Sequence, residues 1–457
     1  MKLLVDGYFE QLKNKRVTVL GIGVSNRPLI RMLLSYGVSV TACDKTPYDK
    51  LDAEVLELES LGARLHVGDD YLDFPDTDII FRTPGMRPDL PQLVRQIERG
   101  AVLTSEMEAF FAVCPCKIIA VTGSDGKTTT TTLISKILEQ AGHRVWVGGN
   151  IGQPLLPLAE QMHESDIAVV ELSSFQLMTM HQSSDIAVVT NLAPNHLDMH
   201  KGMEEYVASK ENVYLHQSEN GKLIVNMDNA ITDEFAKKAR GSVCKFSRLG
   251  KPQKGVYLEN GTMFRDGKVL MQQSDILLPG IHNVENYMAA ACAVEGLASD
   301  EDIIAVARTF GGVEHRIELV RELNGVRYYN DSIASSPSRT MAGLRSFDRP
   351  IVLIAGGYDK QIAFDELGTE ICARVRVLIL CGATEEKIRT AVTQAENYRE
   401  GKPEILRADT LAEAVNLARK YAVSGDVVTL SPACAAFDQF KNFMVRGQAY
   451  KDLVMAL

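Results

Sequence analysis

An α/β protein of three successive domains is predicted, and three observations predict it. Short apolar runs alternate with helical apolar patterns along most of the chain, as they do where parallel sheets are layered with helices. Several of those runs end in glycine-rich or acidic loops, the places where ligands collect in open α/β sheets. At 457 residues the chain is also too long for one compact core.

The first block, residues 1–114, opens with a strand at 16–20 that runs into Gly21-Ile22-Gly23-Val24-Ser25-Asn26. A helix follows to residue 36, then a strand at 38–43 ending on Asp44. This is the start of a Rossmann-like unit, with an acidic residue about 20 positions after the glycines. Asn26 stands where the third glycine of GxGxxG belongs, so three readings stay open. They are a dinucleotide, a mononucleotide or UDP-sugar, and a turn with no ligand. A strand at 79–81, the turn Thr83-Pro84-Gly85 and helices at 92–99 and 105–112 complete the block, and Cys114-Pro115 marks its end.

The second block, residues 115–313, carries the clearest chemistry. A strand at 117–121 leads into Thr122-Gly123-Ser124-Asp125-Gly126-Lys127-Thr128-Thr129, and a helix follows with Leu133, Ile134, Ile137, Leu138 and Ala141 on one face. Strand, glycine loop and helix in that order form a phosphate loop like that of P-loop ATPases. Glycines let backbone N–H groups turn to phosphate, and the helix N-terminus adds partial positive charge. Lys127 supplies a cation for the β- and γ-phosphates, and the Thr128 hydroxyl can ligate Mg²⁺. The full Walker spacing would put glycine at Val121, so the loop is a shortened variant. Buried parallel strands at 167–171 and 186–191 place Glu171 and Asn191 at their polar ends.

The third block, residues 314–457, is again Rossmann-like. Strands at 351–355, 377–381 and 427–430 each run into a polar or glycine loop: Gly356-Gly357-Tyr358-Asp359-Lys360, Gly382, and Ser431-Pro432-Ala433-Cys434.

Composition narrows the partners. Forty-nine basic against 59 acidic residues, net charge −10, leave no electrostatic case for nucleic acid. The eight cysteines are scattered, and the one close pair, Cys114 and Cys116, fits neither a zinc knuckle nor a CxxC redox site. Buried reduced thiols are expected. No apolar run approaches the ~20 residues of a membrane span, and residues 1–30 lack a leader pattern. A cytoplasmic monomer that does not enter the membrane is the expectation.

Residues 121–129 resemble the ATP loop of the Mur ligase and folylpolyglutamate synthase superfamily, whose members use ATP to make an acyl phosphate that an amine then attacks. The resemblance implies ATP at Gly123, Ser124, Asp125, Gly126, Lys127, Thr128 and Thr129, with two magnesium ions held by Thr128, Glu171, His196 and a carbamylated Lys210. It implies catalytic roles for Lys127, His196, Lys210 and Arg316, and nucleotide contacts at Asn283, Asn286, Arg316 and Asp331. The string from Leu430 to Phe443 resembles the D-glutamate-adding members. UDP-N-acetylmuramoyl-L-alanine and D-glutamate are therefore the implied substrates. By that analogy Val24, Ser25, Asp44, Lys45, Thr83, Gly85 and Asn150 hold the UDP-sugar, while Ser335, Lys360, Ala436, Phe437 and Phe443 face the amino acid. Two departures stand out: Ile333 replaces a lysine common in relatives, and Ala436 replaces a serine. Acceptor choice is thus less firmly implied than reaction type. A nicotinamide oxidoreductase built on Gly21-x-Gly23 is the rival from another class, and it leaves the phosphate loop unexplained.

Overall fold

The computed structural model describes residues 2–195, 199–359 and 362–457. Two of the expected site residues, His196 and Lys360, lie outside them. The chain forms two compact units, one of residues 1–275 with 282–307 and the other of residues 276–281 with 308–457.

The first unit contains two sheets. One is fully parallel, made of β1 (Arg16–Leu20), β2 (Ser39–Asp44), β3 (Arg64–Val67), β4 (Ile79–Arg82) and β5 (Val102–Thr104) in the order β3-β2-β1-β4-β5. The chain leaves β1 towards one edge and returns at β4 to build the other. The crevice between their C-terminal ends is therefore the switch point where an open sheet binds ligands. Gly21 and Thr83 face each other there. Gly21 has φ +85°, and a Cβ on it would lie 2.7 Å from the Thr83 Cγ2.

The second sheet comprises β6 (Lys117–Thr122), β7 (Val145–Gly149), β8 (Ile167–Glu171), β9 (Ile186–Val189), β10 (Lys222–Asn226), β11 (Ser242–Ser247), β12 (Gly255–Glu259), β13 (Thr262–Arg265) and β14 (Lys268–Gln272). Their order is β14-β13-β12-β11-β10-β9-β6-β8-β7. β6 pairs in parallel with both β8 and β9, so the phosphate loop leaves the sheet between the ends of two buried strands. The last two strands are antiparallel, which an all-parallel expectation did not foresee. Their turns, Asn260-Gly261 and Asp266-Gly267, all have positive φ, as a two-residue hairpin turn requires.

The second unit holds β15 (Glu318–Leu323), β16 (Val326–Asn330), β17 (Ile351–Ala355), β18 (Val375–Leu380), β19 (Glu404–Arg407) and β20 (Val427–Leu430), ordered β15-β16-β20-β17-β18-β19. Only the β15–β16 pair is antiparallel, joined by the positive-φ turn Asn324-Gly325. Strand positions such as Ile351, Leu353 and Ala355 pack on one face and Val352 and Ile354 on the other. This sheet is thus buried on both sides.

Candidate active site

The loop from Gly123 to Gly126 is shaped by its glycines. Gly123 has φ +146° and passes so close to Thr190 that a Cβ would meet the Thr190 Oγ1 at 1.9 Å. Gly126, at φ +77°, caps the helix Lys127–Gln140 and lies against the Asn286 amide. The end of β9 braces the loop. The Ser124 amide donates to the Asn191 carbonyl at 2.8 Å, the Asp125 amide to the Asn191 Oδ1 at 3.0 Å, and the Thr190 hydroxyl to the Asp125 carbonyl at 2.6 Å. That is why β9 stops at Val189 rather than at residue 191: Thr190 and Asn191 turn away to hold the loop.

Glu171, at the end of β8, is 1% exposed and sits at the centre of the site. One carboxylate oxygen accepts the Thr128 hydroxyl at 2.7 Å and the other accepts the Asn150 amide at 2.8 Å. A carboxylate and a hydroxyl are the hard oxygen donors that Mg²⁺ favours. Among the described residues no three His, Cys, Asp or Glu side chains gather into a metal cage. The Glu171 carboxylate and Thr128 hydroxyl fit magnesium, which at nucleotide sites takes further oxygens from phosphates and water.

Two lysines approach the same loop. The Lys127 ammonium donates to the Gly123 and Ser124 carbonyls, both at 2.9 Å. Lys210, from the helix Met203–Glu211, is 1% exposed and donates to the Thr122 hydroxyl at 3.1 Å and the Gly123 carbonyl at 2.9 Å. Burial, together with the Lys127 charge and against the pull of Glu171, holds its pKa well below the usual lysine value. Asn286 accepts from the Thr130 hydroxyl at 3.2 Å and donates to the Asn283 Oδ1 at 3.1 Å, which seats both asparagines beneath the loop.

A cavity of about 250 Å³ adjoins this cluster, lined by Val24, Ser25, Pro84, Asn150, Gly152 and Gln176 among others. Of the residues expected to hold the sugar nucleotide, Val24, Ser25 and Asn150 meet here. Thr83 and Gly85 flank its Pro84 wall. The Asp44 carboxylate accepts the Ile22 amide at 2.8 Å and the Thr46 amide at 2.9 Å. Against the penalty of burial, those amides and the neighbouring Lys45 keep its pKa below the usual value. Asn26, in the place of a third glycine, donates from its side chain to the Leu20 and Gly21 carbonyls and so closes the turn.

In the second unit Asp331 is buried, and burial raises its pKa to about 7 against the opposing Ser431 hydroxyl, Ile317 amide and Arg316 charge. Ala436 is buried, whereas Phe437 is 63% exposed with its ring edge-on to Tyr358. Ser335 is half-buried, and the Phe443 ring packs edge-on against His315.

Several residues had not been singled out from the sequence. Arg446 is buried and donates to the Ser332, Cys434 and Ala435 carbonyls, tying the loop after β16 to the loop after β20. His200 stacks on Phe175, hydrogen-bonds the Ser174 hydroxyl at 2.9 Å and lies 3.4 Å from Glu205, which Arg87 clamps with two bonds. No spacing rule flags the longer-range partners, such as Arg446 and Ser332, 114 residues apart, or His200 and Ser174, 26 apart.

A glycine-cradled loop between strand and helix, with an acidic strand end bonded to its threonine, defines a nucleotide-binding protein of the phosphate-loop class. Comparison with known proteins narrows this. Residues 121–294 match the model of the Mur ligase middle domain, and residues 315–434 match that of the Mur ligase glutamate ligase domain. UDP-N-acetylmuramoylalanine--D-glutamate ligase of Clostridium botulinum (strain 657 / Type Ba4) is 49% identical over 100% of both chains. The protein of that name from Clostridium kluyveri is 50% identical over 99% of each. Among solved structures, UDP-N-acetylmuramate-alanine ligase from Thermotoga maritima aligns with a TM-score of 0.56 at 17% identity, covering 97% of this chain and 100% of that one. That likeness concerns the fold. The chain belongs to the Mur ligase family.

Proposed function

We propose that this protein is an ATP-dependent ligase that joins D-glutamate to UDP-N-acetylmuramoyl-L-alanine, a step in making peptidoglycan precursor. One observation carries the proposal. Asn150 lines the cavity suited to the sugar nucleotide and also donates to Glu171, which is bonded to Thr128 of the phosphate loop. A carboxyl group reaching through that cavity arrives beside the terminal phosphate of a bound nucleotide.

The chemistry follows in two steps. A substrate carboxylate oxygen attacks the γ-phosphorus, the bond to ADP breaks, and an acyl phosphate forms. The amine of D-glutamate then attacks the carbonyl carbon, and the tetrahedral intermediate expels phosphate as the nitrogen loses a proton. Both steps bring anions together, so catalysis is positioning and charge stabilisation. Gly123 to Thr129 cradle the phosphates, with Lys127 moving from its own loop carbonyls to the β- and γ-phosphates. Glu171, Thr128, His196 and Lys210 are the proposed holders of two magnesium ions, which supply neutralisation of the phosphate charge. Lys210 is proposed to act as its carbamate: a deprotonated amine adds to CO₂, releases a proton and becomes an anion. Its low pKa, set by burial and Lys127, favours the free amine that this addition needs. Asn283, Asn286, Arg316 and Asp331 are assigned to the nucleotide, with Arg316 on the γ-phosphate. Val24, Ser25, Asp44, Lys45, Thr83, Gly85 and Asn150 are assigned to the UDP-sugar, and Ser335, Lys360, Ala436, Phe437 and Phe443 to D-glutamate. The domain boundaries proposed are 1–114, 115–313 and 314–457, in a cytoplasmic monomer. No described helix is long and apolar enough to cross a membrane, and the eight cysteines are free thiols, which supports a reducing compartment.

The test is a screen of D- and L-amino acids with UDP-N-acetylmuramoyl-L-alanine and ATP, scoring ADP release. Release dependent on D-glutamate supports the proposal. Equal or better release with another amino acid, or none with D-glutamate, overturns it.

A further inference from the structure

Arg82 ends β4 and is 1% exposed, and among the described residues its guanidinium bonds to carbonyls and a hydroxyl rather than to a carboxylate. Its Nη1 donates to the Thr83 carbonyl at 3.2 Å, the Pro84 carbonyl at 2.9 Å and the Met86 carbonyl. Its Nη2 donates to the Phe175 carbonyl at 2.9 Å and the Thr179 hydroxyl at 3.2 Å. Pro84 and Gln176, next to Phe175, both line the 250 Å³ cavity. Phe175 also follows Glu171 by four residues on the same stretch of chain. We propose that Arg82 is a positioning residue for the UDP-sugar substrate. One guanidinium ties the Pro84 wall of the cavity to the Phe175–Gln176 wall and so sets the distance at which a bound substrate meets Glu171.

An apolar side chain could fill the same space, but it could not satisfy carbonyls from two walls at once. A guanidinium can, because its donors fan out in a fixed plane. Burial lowers the Arg82 pKa to about 10 with Glu108 opposing the shift, so the group is a cation at neutral pH. A lysine would offer three donors on one compact nitrogen, without the span by which Nη1 and Nη2 reach separate walls. The cost of burying a cation is accepted where its bonds fix two loops in register.

This inference rests on the proposed substrate, so its test measures binding directly. Calorimetric titration of UDP-N-acetylmuramoyl-L-alanine and of ATP is made on the parent enzyme, Arg82→Met, Arg82→Lys and Thr179→Val. Expected is a weakening of sugar-nucleotide binding of about tenfold or more in Arg82→Met, with ATP affinity within about twofold of the parent. Arg82→Lys should fall between the two. Thr179→Val, which loses one bond to one wall, should weaken the sugar nucleotide about two- to threefold with a melting temperature lowered by no more than a few degrees. A purely structural role would lower the active fraction and leave both dissociation constants where they were, and that result overturns the inference. Where Arg82→Met does not fold, Thr179→Val and Arg82→Lys decide by the same criterion. Failure of the parent enzyme to bind the sugar nucleotide removes the proposed function itself. A parent that binds and variants that bind equally well remove only the role of Arg82.

Discussion

Replacing Glu171 with Gln changes one atom and removes one charge at the point where the sugar-nucleotide cavity meets the phosphate loop. The fold should tolerate it. The Thr128 hydroxyl and the Asn150 amide contact opposite oxygens of the carboxylate. A glutamine can keep its oxygen towards Asn150 and turn its NH₂ towards Thr128, whose hydroxyl then accepts. The stability change should stay within about 1 kcal/mol, the scale of one exchanged neutral hydrogen bond. Catalysis should not tolerate it. The buried carboxylate, already bonded to Thr128 of the phosphate loop, is what offers a hard oxygen to magnesium. Loss of one such preorganised charge interaction is worth about 3 kcal/mol, or roughly a hundredfold in kcat, with more expected where two ions depend on it. The assay is ADP release at saturating substrates beside a thermal melt of the same preparation. A melting temperature within a few degrees of the parent and kcat within tenfold would refute the role of Glu171.

Three further outcomes are expected. Gly126→Ala forces a side chain into φ +77° with its Cβ 2.4 Å from the Asn286 Oδ1, so it should cost about 1–3 kcal/mol and raise the KM for ATP. Unchanged ATP affinity at equal stability would speak against the loop. Glu106 is buried and its pKa is raised to about 7 by burial, against the Leu156 amide. A carboxyl whose folded pKa exceeds its unfolded value destabilises the fold progressively as pH rises from about 4.5 to about 7, by up to ~3 kcal/mol. Glu106→Gln should therefore gain more over the parent in melting temperature at pH 8 than at pH 5, and an equal gain at both contradicts the assignment. For Lys210, turnover in CO₂-free buffer should fall and recover with bicarbonate, and Lys210→Arg should be inactive throughout. Indifference to bicarbonate would exclude the carbamate.

Legibility in the sequence followed the range of the interactions. The strand, loop and helix from Lys117 to Gln140 could be read because glycine, lysine and threonine sit within one contiguous stretch and the apolar period changes across it. The end of β8, carrying Glu171, was legible for the same local reason, whereas Asp331, just after β16, was reached only through the family resemblance. The antiparallel strands were missed although Asn260-Gly261, Asp266-Gly267 and Asn324-Gly325 are strong hairpin signals, because the alternating pattern of the block was taken as parallel throughout. Arg82, His200 and Arg446 were not legible at all. Each is a polar side chain buried against backbone or side chains of another segment, 93 residues away in the case of Arg82 and Phe175, and no periodicity marks such a partner.

The most direct measurement follows one oxygen atom. UDP-N-acetylmuramoyl-L-alanine labelled with ¹⁸O in its carboxylate is turned over with ATP and D-glutamate, and the phosphate released is examined by ³¹P resonance. Activation through an acyl phosphate moves one labelled oxygen into inorganic phosphate at each turnover, with ADP as the other product. Unlabelled phosphate, or AMP with pyrophosphate, would mean that the carboxyl is not activated at the γ-phosphate beside Lys127 and Glu171.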